Sequence, residues 1–273
     1  MSRESEYPGS FALVGAGPVA TSLAATFARA AGSVGPVVGV SYRVASRIAN
    51  TLGTGEPARD ASVLRNYPLI LLHAPPLQME ALAAQLASAV VSWAGKCLVF
   101  VDCEPGPMQR APISAAEFAW LRQCPMPGRI AVGGEGGALA AALRLASSLD
   151  RHPIVVAPEL KTRFEAAMLL GGAAFTPLID SVAHVLRETG MPDKQANRAA
   201  VALFESAVLA YSRSGRQSWA WHVQQPDAES VESQIRSLGV AEQPILRSLL
   251  MLGFDRFERH PAVAAKLRRG KNE

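Results

Sequence analysis

The chain has 273 residues, of which 49% are apolar and 18% charged, and its formal charge is +4. That balance excludes a disordered tail or a fibrous repeat and fits one or two compact domains. The basic residues are scattered or gathered at the end, at Lys266, Arg268, Arg269 and Lys271, so no nucleic-acid partner is expected.

In chain order, the first ten residues, MSRESEYPGS, are polar and lack the apolar core of a signal peptide, which makes a cytoplasmic location the expectation. Six short apolar runs follow up to about Pro158: FALVGA, PVVGVSY, LILLHAP, CLVFVDC, RIAV and PIVVA. Each is rich in Val, Ile and Leu without polar alternation, the pattern of strands covered on both faces. Helical patterns lie between them. These are VATSLAATFARAAG, where Leu23, Phe27 and Ala30 recur at helical spacing before Gly32, then VASRIANTLG and LQMEALAAQLASAVVSWAG. The alternation predicts a Rossmann-type, doubly wound, mostly parallel α/β sheet over residues 1–157.

From Glu159 onward the strands stop. Helices are predicted over Glu159–Arg187, Asp193–Ser212, Ala228–Leu238 and Gln243–Arg259, with breaks at GMPD, SGRQSW and GVAEQP, so residues 158–273 read as an all-α domain. The apolar stretch AAMLLGGAAFTPLI is interrupted by Gly171, Gly172 and Pro177 and is shorter than the ~18 residues of a membrane helix, so no membrane partner is expected. Small residues mid-helix, Gly171 to Ala174, cost about 1 kcal/mol per glycine and suit a close helix crossing in a dimer core. Cys97, Cys103 and Cys124 lack metal-ligand spacing. No metal is expected, and at least two of the three read as buried free thiols.

The turn after the first strand carries the chemistry. Gly15-Ala16-Gly17-Pro18-Val19-Ala20 fits G-x-G-x-x-G/A between a strand and a helix. Gly15 permits the tight turn, Gly17 admits a pyrophosphate close to the backbone, and Ala20 allows close helix–sheet packing. Pro18 suits the first helical turn, whose free N–H groups and positive dipole end favour an anion. At the end of the second strand an NAD site usually carries Asp or Glu, but this chain has Ser41-Tyr42-Arg43 with Arg47 one turn on, and no acid until Glu56. A hydroxyl and two guanidinium groups suit a 2′-phosphate, so NADP is favoured over NAD. His73, Ala74 and Pro75 end the run LILLHAPP where cofactor and substrate would meet, with Ala74 and Pro75 at the ribose rim.

The residues GAGPVATSL, VGVSYR–VASRIA, LLHAPP, RIAVGGEGGALAAALRLASSL and PELKTRFEAA together resemble the pyrroline-5-carboxylate reductase-like superfamily of NADP-linked Rossmann proteins. The likeness is nearest to its Rossmann-like branch of uncharacterised bacterial oxidoreductases. It implies a cofactor at the carboxyl edge of the sheet, a helical domain closing over a small-molecule substrate, and a homodimer formed through those helices. The departures are specific. The reductase family's Gly-Gly-Thr-Thr positions correspond to Asp227, Ala228, Glu229 and Ser230. The branch's His and Asn positions correspond to Glu165 and Ala173, and its S-G-A turn to Asp102-Cys103-Glu104-Pro105-Gly106.

Candidates for the catalytic group are Lys161, Glu165, His73 and Ser230, with Asp102 also placed by location. Lys161 and Glu165 lie four apart on one helical face, a spacing that an ordinary ion pair explains equally well. The expected activity is NADP-dependent reduction of a small imine or carbonyl compound. The alternative is an NADP-holding module, without turnover, that serves as a sensor or complex subunit.

Overall fold

A computed structural model describes residues 10–17, 26–27, 33–89, 92–110, 112–219, 228–257 and 264–265. The first of two compact units, Met1–Met168, is built on an eight-stranded sheet. Its strands are β1 (Ser10–Gly15), β2 (Ser33–Val38), β3 (Glu56–Pro57), β4 (Leu69–His73), β5 (Cys97–Val101), β6 (Glu117–Gln123), β7 (Arg129–Gly134) and β8 (His152–Val155). They lie in the order β3-β2-β1-β4-β5-β6-β7-β8, and every neighbouring pair is parallel except β6–β7. The fold is therefore the Rossmann-like, mostly parallel sheet that the strand–helix alternation predicts.

Alternate residues of each buried strand feed opposite cores, which is why the runs are continuously apolar. Leu13, Leu71, Val99 and Leu121 face Ile48 of α1 (Tyr42–Leu52) and Leu145 of α3 (Gly136–Ser148). Val14, Ile70, Leu72 and Phe100 face Met79, Leu82 and Leu86 of α2 (Pro76–Ser88). Lys96, buried just before β5, donates from Nζ to the carbonyls of Arg65 (2.9 Å) and Tyr67 (3.1 Å), and burial lowers its pKa.

Strand β6 is absent from the sequence reading. EFAWLRQ has no Val or Ile, yet it alternates: Ala119 and Leu121 enter one core while Phe118 and Trp120 enter the other. Trp120 also fixes its neighbour. A Cβ at Gly133 of β7 would stand 2.5 Å from the indole Cε2 and Cζ2, so glycine there lets the ring lie flat on the backbone.

The single helix expected over Glu159–Arg187 is two. A 3-10 turn, Pro158–Leu160, leads into α4 (Lys161–Gly171), and α5 (Phe175–Glu188) starts after a break. Gly171 and Gly172 thus end a helix instead of lying inside one, and a Cβ at Gly171 would meet nothing within 4 Å. By length and composition the run Pro158–Glu188, mean hydropathy 1.5, suffices to cross a membrane. Its two helices of 11 and 14 residues are each shorter than the ~20 residues a span requires.

The second unit, Leu169–Glu273, holds α5, α6 (Asp193–Ser214), α7 (Ala228–Arg236) and α8 (Glu242–Phe257), and its described residues contain no strand. Phe175 meets Phe204 edge to face at 4.8 Å, joining α5 to α6. Glu232 of α7 accepts two hydrogen bonds from Arg247 of α8, at 2.7 and 2.9 Å, beside a small core of Ile235, Phe254 and Trp219.

Candidate functional site

The sheet order reverses direction at β1, whose neighbours are β2 and β4, and the carboxyl ends of strands at such a point are where open α/β sheets bind ligands. The structure brings the two sequence motifs together there. Gly15 pairs with His73, and the Ala16 N–H donates to the His73 carbonyl at 2.9 Å. Gly17 has φ +85°, a left-handed conformation that glycine adopts without strain, and a Cβ there would project to 3.7 Å from Pro75. Pro18, Val19 and Ala20 lie outside the described residues.

One strand away, α1 starts at the carboxyl end of β2. Ser41 is its N-cap, and its Oγ accepts from the Val44 N–H at 3.4 Å. Its hydroxyl proton stays available to a ligand oxygen. Tyr42, Arg43, Ser46, Arg47 and Asn50 line an open groove along this helix. Arg43 and Arg47 are exposed and form no salt bridge among the described residues. Arg59, which belongs to no motif, stacks its guanidinium 4.4 Å from the Tyr42 ring centroid. These residues fit a dinucleotide: a glycine turn, a hydroxyl at a helix N-terminus and, among the described residues, guanidinium groups at Arg43 and Arg47 without a salt bridge.

His73 is buried at the end of β4, and its Nδ1 lies 2.7 Å from the Val101 carbonyl. A carbonyl only accepts, so Nδ1 carries a hydrogen in this contact. Asp102, with φ +49°, ties β5 to β6 by accepting from the Gln123 N–H at 2.8 Å.

Lys161 and Glu165 do meet, with Lys161 Nζ 3.0 Å from Glu165 Oε1, inside a larger network. Lys161 also donates to Glu104 Oε2 at 2.5 Å, and Arg122 pairs with both Glu104 and Glu165. Burial alone would raise the Glu104 pKa. The hydrogen bond from Lys161 and the charges of Lys161 and Arg122 outweigh it and hold the carboxyl below its usual value. Ser230 belongs to the second unit, exposed in the first turn of α7.

A cavity of about 860 Å³ opens on the same face of β6. Phe100, Phe118 and Trp120 form its aromatic floor, and Glu104, Lys161, Glu117 and Glu135 stand around it. Lys161 Nζ lies 5.6 Å from the Trp120 ring centroid. Glu117 Oε2 accepts from the Gly137 N–H (2.5 Å) and the Ala138 N–H (3.1 Å), capping α3. The sequence assigns no individual role to Trp120, Arg122 or Glu104, because strand pairing, not spacing, brings them together. The alternation in EFAWLRQ was the available signal.

Solved structures share this architecture over nearly their whole length. An imine reductase from Pseudomonas sp. is 15% identical with a TM-score of 0.59, and the match covers 96% of this chain and 93% of that one. A pyrroline-5-carboxylate reductase from Coxiella burnetii is 14% identical with a TM-score of 0.54, covering 97% and 98%. A pyrroline carboxylate reductase from Plasmodium falciparum, solved with NADP bound, is 12% identical with a TM-score of 0.53, covering 96% and 98%. At these identities the likeness is one of fold: the chain has the fold of the pyrroline-5-carboxylate reductases and NADP oxidoreductases. No family model and no curated protein matches the sequence.

Proposed function

We propose that the protein is an NADP-dependent reductase of a small imine or carbonyl compound. One observation carries the reading: the glycine turn and the His73-Ala74-Pro75 rim meet at the reversal point of the sheet, next to a helix start that offers Ser41, Arg43 and Arg47. Gly15 to Gly17 would hold the pyrophosphate, and the helix start would hold the 2′-phosphate through bidentate guanidinium contacts. When bound, the cofactor supplies a hydride. The chain's part is to bind, orient and desolvate the reacting pair, with Lys161 and Glu165 at the substrate end.

The assembly we propose is a homodimer through the helical unit. Helix α6 has 22 residues, of which only Ala196 and Ala200 are buried, while Leu203, Val208, Leu209 and Tyr211 are more than half exposed. A helix so apolar on its open faces asks for a cover. Sedimentation velocity giving a monomer at micromolar concentration would refute the dimer.

The functional test is NADPH fluorescence titration followed by NADPH oxidation over a panel of cyclic imines, ketones and keto acids. Saturable binding with turnover on a panel member is the expected result. Binding without turnover on any of them points to the sensor or subunit reading, and no binding refutes both.

A further inference from the structure

The cavity over β6 carries an excess of negative charge. Three carboxylates line it, Glu104, Glu117 and Glu135, against one ammonium, Lys161. Glu117 is spent on the start of α3, and Glu104 is shared between Lys161 and Arg122. Glu135 holds the N-cap position of α3 without a side-chain capping bond and is exposed. An anionic ligand meets repulsion at this wall, whereas a cation meets complementary charge.

The floor makes the same choice. Trp120 has one face on the Gly133 backbone, and its ring carries the Lys161 ammonium at 5.6 Å, within the range of a cation–π contact. Glu104 completes the seat from the side at 2.5 Å. An internal cation therefore occupies a position built from a π-face and a carboxylate. The Lys161 side chain has a second anionic partner in Glu165, 3.0 Å away, so it can yield the seat without losing its charge pairing.

We infer that this cavity is a cation-recognition site and that its ligand is an amine-class cation, a protonated amine or iminium, whose charged nitrogen takes the seat of the Lys161 ammonium between Trp120 and Glu104. That the iminium is the reducible substrate, and the amine its product, rests on the proposed reductase function. An iminium that already carries its positive charge at nitrogen also asks no acid of the chain.

The test uses the full chain and three probes of similar size: 1,2,3,4-tetrahydroisoquinoline, cationic at pH 7.5; isochroman, its neutral oxygen analogue; and benzoate, an anion. Binding is measured by calorimetry and by tryptophan fluorescence, with a Trp120→Phe variant assigning the optical signal, and NADPH binding is titrated in the same samples. The expected result is saturable binding of the cation at least ~10-fold tighter than isochroman. Glu104→Gln should erase that preference, and Lys161→Gln, which empties the seat, should keep or strengthen it. Thermal melts confirm that each variant is folded. Equal binding of cation and neutral analogue, tighter binding of benzoate, or no cation binding by wild type and Lys161→Gln alike overturns the inference. Loss of cation binding with NADPH binding intact overturns this site alone. Cation binding without NADPH binding upholds the site and overturns the reductase reading.

Discussion

Replacing Gly133 by alanine tests the packing that holds the floor of the cavity. Gly133 is absent from the residues with positive φ, so its backbone accepts a side chain and the obstacle is space alone. The new Cβ would stand 2.5 Å from indole Cε2 and Cζ2 and 2.6 Å from Nε1, and the ring must withdraw by about 1 Å to regain van der Waals distance. Trp120 is only 8% exposed, so that retreat displaces packed neighbours. Overpacking of this kind costs about 1–3 kcal/mol. Loss of a glycine from the unfolded chain returns about 0.4–1 kcal/mol. The mid-range net destabilisation is about 1.3 kcal/mol, or roughly 3–5 °C in Tm for a unit of this size. Denaturant melts followed by near-UV circular dichroism read both stability and the environment of the indole. In a Trp120→Ala background the obstacle is gone and only the favourable backbone contribution remains, so the same substitution turns neutral or stabilising. An equal penalty in both backgrounds would refute the assignment of the clash to Trp120.

Three further outcomes follow from the same geometry. Arg43→Ala and Arg47→Ala should each weaken NADPH binding about 10-fold or more while NADH binding stays nearly constant, as fluorescence titration would show. Burial pushes the Cys103 thiol up to about 11, and burial also raises Cys124, so native protein at pH 8 should react slowly with a chromogenic disulfide and rapidly once denatured. Glu104 is held below its ordinary value of 4.5, so its contribution to stability is complete above that pH and is lost as pH falls toward the folded value. Glu104→Gln should flatten the acid limb of the stability curve, modestly because the side chain is 54% exposed.

The glycine turn and the capped start of α1 were legible in the sequence because local chemistry dictates them. A buried strand running into Gly15-Ala16-Gly17, and a capping serine before two arginines, mean the same thing wherever they stand along a sheet. Lys161 and Glu165 were legible as a pair because a helix brings positions four apart together. Their partners were not. Glu104 meets Arg122 across 18 positions, a distance closed by the pairing of β5 with β6, and Lys161 across 57, where the start of α4 returns to the strand ends. The strand carrying Arg122 escaped notice because Glu, Phe, Trp, Arg and Gln outnumber its aliphatic residues. Only the alternation of faces betrays it. The break between α4 and α5 shows the limit of composition: glycines inside an apolar run read as a packing device until the backbone shows them ending a helix.

The bond from Glu117 to the start of α3 bears on how many phosphates this chain can hold. Closely spaced glycines stand at the ends of β1, in GAGPVA, and of β7, in GGEGG, and by motif alone either could cradle an anion. At the second junction the chain supplies its own. The Glu117 carboxylate lies against the N–H groups of Gly137 and Ala138, and a Cβ at Gly136 would fall 2.6 Å from its oxygen. Those glycines make room for a carboxylate from the neighbouring strand, so the junction that resembles a second nucleotide pocket is answered from within. A free phosphate arriving there would have to evict a tethered competitor, whereas at Gly17 the described residues place no such rival.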